Sequence, residues 1–346
     1  MNLPGISQTA QNLFESALTL TYYDIYLRLL LAATGKERLR IAVAGGNGYV
    51  MPNLEALADC GIDPYNVGFY LGDASDPFHS RAPLDNLDPA NYELLIVAAN
   101  DAQGEHALVA ELVAHLRKGP AYRVPIFLDH RFRNALYAAA FEIDDIRSVL
   151  NPRKLAVVAL AAFLSRSGCI LECGSFRGGT SLFMALMLRT WADDRRIHAF
   201  DTYEGMPAAT PKDGETIYNP GLFTEVDYQD TCAYFARHGC GETITAHKGL
   251  VQDTLPPVLE QERDVSLALI DTDQYSSTLK SLQCVVPKLS TNGLILVDDY
   301  GIEGVRHAVD EIQAAYPSLR GTHITMNFYV MWQSIDQNFI SSIRTH

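Results

Sequence analysis

Short apolar runs of strand length recur along the chain, and in its second half four of five end in, or are followed at once by, an acid. The five are Cys169–Glu172, Ile197–Phe200, Thr243–Ala246, Leu267–Ile270 and Leu294–Val297. Stretches of helical length separate them, and Gly304–Tyr316 reads as a further helix. Strands alternating with helices require right-handed crossovers, and hence a parallel sheet with helices on both faces. His323–Trp332 follows as a closing strand. The expected fold class is therefore α/β, with a C-terminal doubly wound Rossmann-like sheet and a closing antiparallel strand. In such a sheet ligands bind beyond the carboxyl ends of the strands, which is where the acids fall.

The first half repeats the alternation on a smaller scale. Its apolar runs are Arg40–Ala44, Val67–Tyr70, Leu94–Ala98 and Val124–Leu128, with helical spacing in Leu13–Leu31 and Glu105–Lys118. Asn151-Pro152 looks like a helix entry, with Asn as the cap and Pro at the first helical position. The boundary is placed near residue 145, giving a smaller Rossmann-like α/β domain over 1–145 and the better-marked domain over 146–346. A length of 346 residues fits two domains.

Lys and Arg number 27 against 41 Asp and Glu, a net charge of −14. Neither a nucleic acid nor an anionic membrane is then expected as the main partner, since both need clustered cations. No apolar run approaches the ~20 residues that span a bilayer. The first twenty residues lack the basic and apolar regions of a secretory signal. Six cysteines form no CxxC pair and no dense framework, so reduced thiols and a cytoplasmic location are expected.

Four places at strand ends carry candidate chemistry. In Leu171-Glu-Cys-Gly-Ser-Phe-Arg-Gly-Gly-Thr-Ser181 an apolar strand ends in Glu172, and glycines then bend the backbone before a helix. Such a loop bares main-chain N–H groups and suits a nucleotide or nucleoside; it lacks the Gly-Lys-Ser/Thr ending of a phosphate-binding loop. Asp201 ends the second strand and is placed either to accept from ribose hydroxyls or to cap a turn. Asp271, Asp273, Asp298 and Asp299 lie at the ends of two further strands, 27 residues apart from Asp271 to Asp298, with room for one crossover helix over 276–288. So many anions in one small volume repel unless a cation or a shared proton compensates. Oxygen-only donors favour a hard ion, Mg²⁺ with Mn²⁺ or Ca²⁺ as alternatives; the competing reading is that these acids cap helices. The polar, Gly- and Pro-containing stretch 203–230 is long enough to be a lid or binding loop.

Three signatures together give a resemblance: Glu172-Cys-Gly-Ser-Phe-Arg-Gly-Gly179, Phe200-Asp-Thr-Tyr-Glu-Gly-Met-Pro207, and Asp271-Thr-Asp-Gln-Tyr-Ser-Ser-Thr278 followed by Asp298-Asp-Tyr-Gly301. Residues ~165–333 resemble class I S-adenosylmethionine-dependent methyltransferases, and within them the macrocin O-methyltransferase-like family of metal-dependent sugar O-methyltransferases. The resemblance implies that Glu172, Gly174 and Gly178 line the methionine and ribose part of an S-adenosylmethionine pocket, with Ser175, Arg177 and Thr202 in the same set. It implies that Asp201 holds the ribose and that the chain passes adenine at Gly249. Asp271, Asp298 and Asp299 would hold Mg²⁺, and Asp273 would be the general base. The implied partner is a small-molecule acceptor, a sugar or natural-product scaffold, and a homodimer is compatible with the family. Transfer to nitrogen or carbon, and a non-catalytic binding module, are the alternative functions.

Several residues have plainer readings. His198 sits inside a strand and reads as a sheet histidine; His247 precedes the turn at Gly249 and is either solvated or beside adenine. Cys169 and Cys173 flank a buried strand and read as small apolar residues. His307 lies on the helix after the last acidic pair. In the first domain Gly46 and Gly48 imitate a dinucleotide fingerprint, but Met51 stands at its third position and Asp73 comes late for a ribose-binding acid.

Overall fold

The computed structural model describes residues 40–45, 68–70, 84–92, 94–98, 102–116, 126–142, 147–324 and 327–335. The expected helix over 13–31 and the residues Gly46, Gly48, Met51 and Asp73 lie outside them. Two compact units are present, one spanning Leu136–Ile335 and the other falling within residues 15–135.

The smaller unit holds β1 (Ile41–Gly45), β2 (Gly68–Tyr70), β3 (Leu94–Ala98), α1 (Ala102–Leu116) and β4 (Ile126–Leu128). Its strands form one sheet in the order β2-β1-β3-β4, and every pairing is parallel. Leu95, Val97 and Leu112 are buried together with Ala42 and Tyr70. The helix α2 (Asp129–Glu142) follows β4.

The larger unit contains α3 (Pro152–Leu164), β5 (Cys169–Cys173), α4 (Gly179–Thr190), β6 (Ile197–Asp201), α5 (Tyr228–Arg237), β7 (Ile244–Lys248), α6 (Val251–Gln261), β8 (Val265–Ile270), α7 (Tyr275–Val285), β9 (Leu289–Val297), α8 (Glu303–Ala315), β10 (Arg320–His323) and β11 (Tyr329–Trp332). Asn151 caps α3 as its sequence predicts, its side chain accepting from Lys154 N at 3.0 Å with Pro152 in the first turn. The strand order is β10-β11-β9-β8-β5-β6-β7. The five strands from β9 to β7 are mutually parallel. The direction of winding reverses at β5, which lies between β8 and β6, so the switch point falls at the end of β5.

The close of the sheet differs from expectation. Instead of one strand over 323–332, the chain forms a hairpin in which β11 runs antiparallel to β9 and β10 runs antiparallel to β11. Alternation along β5 divides its side chains between two faces. Cys169, Leu171 and Cys173 pack with Phe200, Leu255, Leu259, Ala268 and Ile270 in one apolar cluster. Glu172 necessarily faces the other side. Among the described residues, no helix is long and apolar enough to cross a membrane.

Candidate functional site

The hydrogen-bond ladder of the sheet continues past the strand ends and aligns the predicted site residues. Gly174 N donates to Phe200 O (2.8 Å), Asp271 N to Cys173 O (2.8 Å), Asp298 N to Ile270 O (2.9 Å), and Gly249 N to Asp201 O (2.9 Å). These bonds bring the ends of β5, β6, β7, β8 and β9 into one row. Gly174 holds φ +91°, and a Cβ there would lie 1.8 Å from Asp271 O. Only glycine lets the loop after β5 pass this close to the end of β8.

A cleft opens along the row. Of the predicted residues, Gly174, Asp201, Thr202, Gly249, Asp271 and Asp273 line it, together with Phe176, Phe200, Met206, Phe223 and Leu250. Apolar walls with a few convergent polar groups are the usual make-up of a small-molecule site. Ser175 and Gly178 lie in the same loop but are not among the lining residues. Arg177 lines an adjoining hollow with Arg147, Ser148, Glu225 and Asp230.

Asp201 organises the loop. Its Oδ2 accepts from Phe176 N and its Oδ1 from Tyr203 N, both at 2.8 Å. The carboxylate thus ties the glycine-containing turn to the end of β6. Burial raises its pKa, against the pull of those backbone donors.

Glu172 is placed differently from its implied role at the cofactor wall. Its side chain is 2% exposed and points beneath the loop, where it accepts from Ser181 Oγ on α4. Burial pushes its pKa up to about 8, although the hydroxyls of Ser181 and Thr180 pull the other way. The carboxyl therefore ties β5 to α4 beneath the cleft rather than lining it.

The four aspartates do converge. Burial, followed by the charges of Asp298, Asp273 and Asp299, raises the pKa of Asp271 well above the ordinary carboxylate range. Burial and the charges of Asp299 and Asp298 push Asp273 up to about 7. Asp298 is pushed to about 6 by burial, with Lys154 opposing the shift. Mutual repulsion of this kind is relieved by a cation, and the sequence reading missed the one the chain itself supplies. Lys154 Nζ in the first turn of α3 lies 2.5 Å from Asp298 Oδ1 and 3.3 Å from Asp299 Oδ1. One ammonium against four carboxylates leaves a large excess of negative charge. The donor set is all oxygen, the chemistry that suits a hard divalent ion, with Asp271 and Asp273 lining the cleft and Asp298 and Asp299 set behind it against Lys154.

Backbone strain gathers here as well. Phe176, Tyr203, Phe223, Asp273 and Asp299 all hold positive φ, between 48° and 56°. Non-glycine residues in that region are uncommon, and they concentrate where a binding site is over-determined by its surroundings.

The stretch 203–230 crosses the strand ends and is fastened to the start of α7. Gln274 Nε2 donates to Pro207 O (2.9 Å) and Tyr218 O (2.8 Å). Buried Asp213 accepts from Thr210 N (2.6 Å) and from Tyr275 N (2.5 Å). Gln274 lies inside the third signature and Asp213 closes a Thr-x-x-Asp capping box with Thr210, but neither pattern marks the bonds each makes to fasten this stretch. His198 and His247 are outside the cleft lining and bond to each other instead. His307 Nδ1 lies 3.1 Å from Lys212 O.

Residues 161–326 match the family of macrocin-O-methyltransferase (TylF). The 8-demethyl-8-(2,3-dimethoxy-alpha-L-rhamnosyl)-tetracenomycin-C 4′-O-methyltransferase of Streptomyces olivaceus is 31% identical over 157 residues, which are 43% of this chain and 59% of that protein. The mycinamicin III 3″-O-methyltransferase of Micromonospora griseorubida is 29% identical over 153 residues, 42% of this chain and 59% of that protein. The demethyldecarbamoylnovobiocin O-methyltransferase of Streptomyces niveus is 27% identical over 158 residues, with coverage of 43% and 59%. The chain thus spans about three fifths of the length of each of these relatives. Across residues 161–326, which hold the cleft and its acids, the chain resembles the macrocin O-methyltransferases.

Proposed function

We propose that the chain is an S-adenosylmethionine- and Mg²⁺-dependent O-methyltransferase acting on a sugar hydroxyl of a natural product. One observation carries the reading: Asp271 and Asp273 line the same cleft as Gly174 and Asp201, so an acidic cluster and a nucleoside-type loop share one opening. The matched relatives all bear names of O-methyltransferases, two of them specifying a numbered O-position. The same names favour oxygen over nitrogen or carbon as the methylated atom.

Gly174 and Asp201 would bound the S-adenosylmethionine that would supply an electrophilic methyl group, and Asp271, Asp298 and Asp299 would hold a divalent ion that would lower the pKa of an acceptor hydroxyl. The rest of the work falls to the protein. Gly174 allows the loop to approach the ligand without a Cβ, and Asp201 keeps that loop in register through Phe176 N and Tyr203 N. Asp273, fixed at φ +56° two residues beyond Asp271, takes the hydroxyl proton on a carboxylate oxygen. The stretch 203–230, held by Gln274 and Asp213, excludes water from the cleft. Ile217, Leu222 and Leu250 are exposed large apolar side chains; Leu250 lines the cleft, and the first two sit on the stretch that covers it. They suit an acceptor with an apolar body beside its sugar.

Calorimetry with S-adenosylmethionine, with and without Mg²⁺, tests the reading together with methyl-transfer assays on deoxysugar glycosides. Cofactor binding with Mg²⁺-dependent transfer to oxygen is expected. Absence of cofactor binding would remove the enzymatic reading and leave a binding module.

A further inference from the structure

A second set of metal-ligating side chains lies at the other end of the same strands. Cys169 opens β5, His198 is the second residue of β6, and Glu262 directly follows α6. Leu171 pairs with His198 across the two strands, so Cys169, Leu171 and His198 share one face, beneath α6. One ligand atom from each of Cys169, His198 and Glu262 lies within 4.8 Å of the other two. His198 Nε2 is 3.1 Å from Glu262 Oε1, and the side chains of His198 and Glu262 are 8% and 10% exposed. Cys169 is buried as well.

The surroundings favour a cation. Glu262 ends α6, where the carbonyl ends of the helix concentrate partial negative charge. Two side-chain cations serve that charge now: Arg196 contacts Glu262 Oε1 at 2.7 Å while 63% exposed, and Lys288 Nζ donates to Glu262 O at 3.2 Å. His247 supplies the outer support that a ligating histidine requires. Its Nε2 is 3.0 Å from His198 Nδ1, and its ring stacks on Phe200 with centroids 4.6 Å apart. A His198 protonated at Nδ1 donates to His247 and turns the Nε2 lone pair toward Glu262 and Cys169.

We infer that Cys169, His198 and Glu262 form a binding site for a borderline-soft divalent ion of the Zn²⁺ type, clamping the N-terminal ends of β5 and β6 to the end of α6. Sulfur, imidazole and carboxylate are an accepted zinc donor set, and three protein ligands leave one position for water. Binding transfers the Cys169 Sγ proton to solvent, leaves both histidines neutral, and returns the Arg196 guanidinium to water. Burial lowers the pKa of both histidines, so they are neutral and available at pH 7. Burial likewise pushes the Cys169 thiol up to about 12, so the free site holds a thiol that the ion must deprotonate. The site stands apart from the strand-end aspartates, whose oxygen donors favour harder ions, and it is independent of the methyl-transfer reading.

The test is titration of the full chain with Co²⁺ and Zn²⁺ in excess Mg²⁺, a hard competitor for the oxygen donors at the strand ends. One ion per chain is expected, with a thiolate-to-cobalt absorption band, release of one proton and a rise in Tm. Loss of an outer-shell partner alone weakens metal binding 10–100-fold, so Cys169→Ala should weaken Co²⁺ binding by at least on the order of 100-fold and abolish the band. Cys232→Ala should leave both unchanged. If Cys169→Ala folds poorly, His198→Gln serves with the same readouts. Wild-type-like cobalt binding in Cys169→Ala or His198→Gln, or a wild-type cobalt spectrum without the thiolate band, overturns the proposal.

Discussion

Lys154 Nζ lies 2.5 Å from Asp298 Oδ1, joining the first turn of α3 to the end of β9 across 144 residues of sequence. Burial alone would lower the pKa of Lys154, but its bond to Asp298 and the charges of Asp298 and Asp299 outweigh that effect and raise it. The ammonium is thus charged and holds two of the proposed metal ligands, Asp298 and Asp299. The chain carries its own partial counter-ion, and any metal at these acids competes with a tethered cation.

The competition gives the first prediction. Lys154→Met keeps an unbranched side chain but removes the charge, and with it the ammonium placed 5.4 Å from the Phe328 ring centroid. Mg²⁺ or Mn²⁺ should then bind roughly tenfold tighter, because a charge pair at this range is worth about 1–4 kcal/mol and only part of it opposes the ion. Without metal the variant should melt earlier, since Asp298 loses its partner, and added Mg²⁺ should restore the melting temperature. Isothermal titration with Mn²⁺ decides it: unchanged or weaker affinity shows that Lys154 does not compete for the site.

Glu172→Gln tests the buried carboxyl. Its pKa rises from 4.5 unfolded to about 8 folded, so between these values the native state binds the extra proton. Stability from this group is complete below pH 4.5 and is lost as pH rises through 8. Glutamine copies the protonated form and cannot ionise. Wild type and variant should be nearly equally stable at pH 4, whereas at pH 9, above both pKa values, the variant should be more stable by roughly 3–5 kcal/mol. Urea melts at the two pH values measure this. A variant weaker at both would mean that the ionised carboxylate is the native form.

Gly174→Ala places a methyl group 1.8 Å from Asp271 O at φ +91°. Backbone rather than a flexible side chain is in the way, so the loop must move. A loss of about 2–4 kcal/mol in stability is expected, with weaker binding of S-adenosylhomocysteine, because Gly174 N also holds Phe200 O. Wild-type affinity in calorimetry would show that the loop geometry is not what the ligand reads.

Much of the larger unit was legible in the sequence because apolar runs, glycines and acids alternate at regular intervals. The strand-end aspartates are local features of that rhythm, and β5, β6 and β8 appear within two residues of their expected starts. What escaped depends on long-range geometry. Lys154 looks like any lysine after an Asn-Pro helix entry; only the excess of acid at 271–299 hinted that a cation must come from elsewhere. The polar residues Ser290, Thr291 and Asn292 hid the first half of β9, which begins at Leu289. The burial of Glu172 was in fact readable: alternating with Leu171 and Cys173, it had to face α4 rather than the apolar cluster.

Asp273 gives the last prediction. It sits at φ +56°, two residues past Asp271, and lines the cleft that Gly174 and Asp201 share. Asparagine is nearly isosteric and tolerates positive φ, so Asp273→Asn should keep the backbone strain and the fold. It also keeps the strand-end acids Asp271, Asp298 and Asp299, and hence the proposed metal ligands. What disappears is the carboxylate that accepts a proton. General-base catalysis contributes roughly 10²–10⁴-fold, so kcat for methyl transfer should fall by that amount while affinity for S-adenosylhomocysteine stays within a few-fold. Relief of repulsion should also ease the ionisation of Asp271, whose pKa burial and the charges of Asp298, Asp273 and Asp299 now raise, but this cannot replace the lost base. Full turnover in Asp273→Asn, measured beside unchanged cofactor binding, would assign proton removal to another group.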